Sequence, residues 1–131
     1  MKKIKIVLVA LLLLVLSFPT MAQKQKYALN AYYAVVVGEY GILKSGETDI
    51  DVTIDFSKSR VIIYSIDTQI IDFEPLRSYI DEDGSSVMES TATDSDYNII
   101  RLEIRVARGE NRVDLYVTDD DICCGYLCKV I

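Results

Sequence analysis

Strict alternation of apolar and polar residues is the feature that most limits what this chain can fold into. In Thr48–Phe56, Ile50, Val52, Ile54 and Phe56 point one way, while Asp49, Asp51, Thr53 and Asp55 point the other. A period of two is that of a strand with one face buried and one wet, and it does not suit a helix. The same texture recurs along Gln69–Glu74, Val87–Thr93, Ile99–Ala107, Arg112–Thr118 and Ile122–Ile131, whereas the strand within Arg60–Ile66 is apolar on both faces, as a central strand is. Between these runs lie Ser57-Lys58-Ser59, Asp67-Thr68, Asp81–Gly84, Asp94–Asn98, Arg108–Asn111 and Asp119–Asp121, all rich in turn-forming residues. Tight turns make successive strands neighbours. The expected fold is therefore all-β, a small antiparallel meander barrel or half-barrel of about eight short strands. A two-sheet β-sandwich is the alternative.

The cleanest hairpin predicts its own register. Leu102, Ile104 and Val106 share one face, as do Val113, Leu115 and Val117. Matching those faces pairs Val106 with Val113, Ile104 with Leu115 and Leu102 with Val117, because a slip of one residue would turn a whole face outward. Arg105 then lies across from Asp114 on the outer side, where an ion pair is worth only ~0–1 kcal/mol. Pairing Phe56 with Val61 sends Val61 and Ile63 inward and leaves Ile62, Tyr64 and Ile66 on the wet face. These three are the candidate interaction residues. The cover they ask for is either the segment Tyr32–Val37 or a partner. Residues 24–47 lack a clean period: Ala28–Tyr32 suggests a short helix, Val35–Val37 a strand, and Gly38, Gly41 and Gly46 a loop.

The first 22 residues read as a cleaved export signal. Lys2, Lys3 and Lys5 precede an apolar run of 11 residues, Ile6–Leu16, and Thr20-Met21-Ala22 supplies small residues at a cleavage site before Gln23. A spanning helix needs roughly 20 apolar residues, so the run is too short to anchor the chain. The expected product is a single β domain, residues 23–131, periplasmic or secreted and with no membrane insertion. Losing three of 14 basic residues and none of 20 acidic ones moves the net charge from −6 to about −9. Such a surface repels nucleic-acid backbones, so no nucleic-acid partner is expected.

Cys123, Cys124 and Cys128 enter an oxidising compartment together. In an extended strand Cys124 and Cys128 stand about 13 Å apart, too far for a disulfide unless Gly125 bends the chain. The open readings are small buried hydrophobes, a disulfide that includes one between chains, or metal or redox chemistry. The chain has no histidine, which removes the usual general base and its nucleophile pairs. No enzyme activity and no cofactor are expected. Asp94, Asp96 and Asn98 occupy the first three ligand positions of a calcium loop. The pattern then departs, with Ile99 in place of glycine and Arg105 in place of the bidentate glutamate. Nine tyrosines suit either strand packing or a ligand cavity.

The lysine-led signal ending in MAQ and the stretch IDFSKSRVIIYS resemble small exported proteins of Gram-negative gut bacteria that have no known function, several of which look calycin-like. The resemblance implies a barrel and carries over no site residues. Two functions are expected from these readings: a protein-interaction or accessory module that meets an unidentified protein or itself, or a barrel that binds a small apolar ligand.

Overall fold

The computed structural model describes residues 26–109 and 111–131; the export signal expected at residues 1–22 lies outside the described residues. Eight strands run β1 (Lys26–Gly38), β2 (Gly41–Asp55), β3 (Arg60–Tyr64), β4 (Gln69–Ile80), β5 (Ser86–Thr93), β6 (Ile99–Val106), β7 (Arg112–Asp119) and β8 (Ile122–Val130). Each pairs antiparallel with the next, and β8 pairs with β1, so the meander closes into a barrel. The expected β6–β7 register is present, with Val106 against Val113, Ile104 against Leu115 and Leu102 against Val117.

The alternating residues fill the interior. Leu29, Val52, Ile54, Val61, Ile63, Ile71, Leu102, Ile104 and Leu115 are all nearly inaccessible to solvent. Aromatic side chains stand at the lower of the two mouths and midway along the interior. At the lower one, Phe56 meets Tyr27 and Phe73 edge to face, with ring centroids 5.9 and 6.1 Å apart. Tyr126 points inward from the middle of β8, between Ala34 and Leu115, and is largely buried. The gap beside the lower aromatic cluster measures about 10 Å³, room for one water at most.

Three expectations are corrected. Residues 26–38 form one strand, and β2 begins at Gly41, so neither the short helix nor the long loop is present. The cause is a bulge at Tyr32, which β8 does not match: Ala31 faces Cys128, and Tyr33 already faces Leu127. Inward positions therefore move from Leu29 and Ala31 to Ala34 and Val36, and the period of two is lost in the sequence. Secondly, β4 runs through Pro75 to Ile80 rather than ending at Glu74. Proline is tolerated because β3 pairs only with Gln69–Asp72, which leaves the remainder of β4 with a free edge. Thirdly, Arg105 faces Asp114 in register but bonds Asp81 instead, while Arg112 grips the buried Asp114 carboxylate through Nε at 2.9 Å and Nη2 at 2.8 Å.

Aspartates close the short turns by accepting backbone amides. Asp55 takes the Ser57 hydroxyl at 2.6 Å and the Ser57 and Lys58 amides. Asp94 takes the Asp96 and Asn98 amides, both at 2.9 Å. The Ser57 hydroxyl chiefly lowers the Asp55 carboxyl, and the Asn98 amide that of Asp94. Asp83, sharing a hydrogen bond with Asp81 and held by Ser85, is lowered to about 2. Carboxyls lowered on folding stabilise the fold above their unfolded values, near 4, and that contribution is lost as pH falls through the folded ones. The melting temperature should therefore fall between pH 4 and pH 2. Asp94→Asn should lower it at pH 7 and flatten the acid slope. An acid slope unchanged in that variant would contradict the role given to Asp94.

Candidate interaction surface

A barrel filled by its own side chains offers its outside and its ends. Strand connections alternate between the ends, so the β1–β2, β3–β4, β5–β6 and β7–β8 turns gather at one of them, the upper end. Among the described residues, nine of the twelve exposed large apolar side chains lie there. The β1–β2 turn carries Tyr40, Ile42 and Leu43; the β3–β4 connection carries Tyr64, Ile66 and Ile70. Tyr97 and Ile99 follow from β5–β6, and Ile122 from β7–β8. Single exposed apolar residues are ordinary, but their concentration at one end is not.

The three residues singled out from sequence fall beside this end. Ile62 is half-buried on the outer face of β3, across from Ile70. Tyr64 ends β3 at 51 % exposure, and Ile66, in the bend beyond it, is fully exposed. Tyr32–Val37, expected as their cover, is instead part of β1 within the barrel wall. The remaining members of the collar were not read from sequence. Ile42 and Leu43 lie in the stretch whose period the Tyr32 bulge obscures, and Tyr97 and Ile99 adjoin a turn read for its acids.

Charge at the upper end is one-sided. Glu39, Asp67, Asp94, Asp96, Asp120 and Asp121 lie in its four connections, which contain no lysine or arginine. The calcium candidates Asp94, Asp96 and Asn98 sit within this set. Asp94 is occupied in closing the turn, with its second oxygen accepting the Asn98 side-chain amide at 3.2 Å. Among the described residues no three Cys, Asp or Glu side chains converge as a metal site would require.

A groove of about 300 Å³ on the outer wall is lined by Glu89, Arg101, Glu103, Tyr116 and Cys123 among others. Its carboxylates are engaged: Arg77 and Tyr79 hold Glu89, and Arg105 approaches Glu103 at 3.8 Å. All three thiols are free. Cys124 and Cys128 face inward on a regular strand, against Val117 and Val113. Gly125 does not bend the chain; a β-carbon there would come within 3.0 Å of Val35 and 3.1 Å of Tyr116. Burial pushes the Cys124 thiol up, and pushes Cys128 up to about 12, with the Asp114 charge adding to the latter. Maleimide at pH 8 should therefore label Cys123 in the native protein and Cys128 only on unfolding. Native labelling of Cys128 at the rate of Cys123 would contradict this packing.

No protein-family model, curated protein or solved structure matches the chain.

Proposed function

We propose that this chain is an exported, non-enzymatic accessory module whose upper end docks onto another protein. The observation that carries the reading is the uncovered apolar collar, above all Ile66, on a barrel whose interior is already filled. Apolar side chains left in water forgo about 25 cal/mol per Å² that docking would recover, and the acidic turns between them favour one sign of partner. The ligand-binding alternative needs an open calyx, as small-molecule sites commonly occupy roughly 300–1,000 Å³. Inside the wall the gap beside the lower aromatic cluster is about 10 Å³, and the groove of about 300 Å³ lies on the outer wall, which favours docking over a calyx.

A photo-crosslinking amino acid at position 66, in the producing cell, should yield a discrete product. The same group at Lys58, exposed at the lower end, should not. Ile66→Ser with Tyr64→Ser should abolish capture from a crosslinker at position 42 without changing the melting temperature by more than a few degrees. No specific product from position 66, together with a strict monomer in sedimentation velocity, would contradict the proposal.

A further inference from the structure

The short strand β3 leaves one sheet edge bare, and its position beside the apolar collar is telling. Strand β2 spans 15 residues, yet β3 pairs only with Asp51–Asp55. Residues Gly41–Ile50 pair with β1 on one side and with no described strand on the other. Alternate backbone N–H and C=O groups along this stretch therefore point to solvent, a template for one more strand. A strand added there would continue the line of β3 beyond Tyr64, the residue paired with Asp51, and would pass beside Ile66.

The side chains along that edge specify its occupant. Ser45, Glu47, Asp49 and Asp51 all project outward and are exposed. Asn30 donates its amide to Asp49 at 2.7 Å and to Asp51 at 3.3 Å, and no cation among the described residues pairs with Glu47, Asp49 or Asp51. Like charges directly across a ladder repel, while opposite charges there attract. A second copy is a poor occupant. In a two-fold antiparallel pairing, centring the strands at Glu47, Thr48 or Asp49 sets acid against acid. Centring nearer the turn sets the acids against Leu43, Ser45 or Gly41 and neutralises none.

We infer that the bare edge of β2, Gly41–Ile50, accepts an extended segment of a partner protein that carries lysine or arginine at alternate positions. Main-chain hydrogen bonds supply the binding, the basic side chains meet Glu47 and Asp49, and one end of the segment lies against Tyr64 and Ile66. This inference rests on the reading of the upper end as an interaction surface and names the kind of partner it fits.

The test uses the folded protein and a blocked nonapeptide that alternates lysine with valine or threonine. Binding is followed by fluorescence anisotropy and by amide hydrogen exchange. The peptide should slow exchange at alternate residues of Gly41–Ile50. Its affinity should fall at least about tenfold in Glu47→Lys/Asp49→Lys and in high salt, as expected for exposed charge pairs. A peptide with glutamate in place of lysine should not bind. Of two peptides N-methylated on complementary sets of alternate amides, one should lose binding and the other keep it, a readout that needs no protein variant. Absence of binding, binding without protection in Gly41–Ile50, or equal affinity for the charge-reversed protein overturns the edge assignment. Protection confined to Tyr64–Ile70 overturns it too, while leaving the apolar collar as an interaction surface.

Discussion

The ladder between β1 and β8 is the constraint on which the remainder of the structure rests. An antiparallel meander has two terminal edges, each a row of unpaired amides and carbonyls that invites aggregation. Pairing Leu29–Val37 with Cys123–Val130 removes both at once. It also wraps the inner face of every strand around a common axis, which is how Leu29, Ile63, Leu102 and Leu115 come to be sealed from water. The Tyr32 bulge belongs to the same solution, since it turns β1 between its two neighbours and Lys129 settles over the Tyr32 ring at 5.0 Å.

Closure is uneven, and the unevenness carries the functional argument. β3 is five residues long between neighbours of 15 and 12. The barrel therefore closes through a narrow bridge, with β2 bare above it and β4 bare below it. The two bare edges differ. That of β4 contains Pro75, a residue that cannot donate to a new strand, and its exposed Leu76 and Ile80 lie toward the lower end, away from the collar. That of β2 has no proline and adjoins the apolar collar. A filled interior, an uncovered apolar end and a bare acidic edge are the features on which the proposed docking outside the barrel rests.

Much of the fold was legible because alternation survives wherever the ladders are regular. Ile99–Val106 and Arg112–Asp119 declare both their faces and their register. Where the ladder is irregular the pattern misleads: the Tyr32 bulge shifts the inward set by one, and Leu43 is an extra residue between Lys44 and Ile42 in the β1–β2 ladder. Partner choice among the charges of the outer face was not legible either. Arg105 lies in register with Asp114 yet bonds Asp81, because Arg112 already occupies the buried carboxylate. Of the candidate surface, Ile62, Tyr64 and Ile66 showed in the sequence as apolar residues on a wet face. The bare edge did not, because it arises from unequal strand lengths that no single segment records.

Single-residue amide exchange on the free protein tests closure most directly, since protection there reports whether each ladder persists. The account predicts that the slow amides of β1 and β8 exchange as slowly as those of β6 and β7, while alternate amides of Gly41–Ile50 exchange fast. Exchange along β1 and β8 as fast as at the bare edge of β2 would mean an open sheet, and it would contradict the closed, filled barrel on which the functional reading depends.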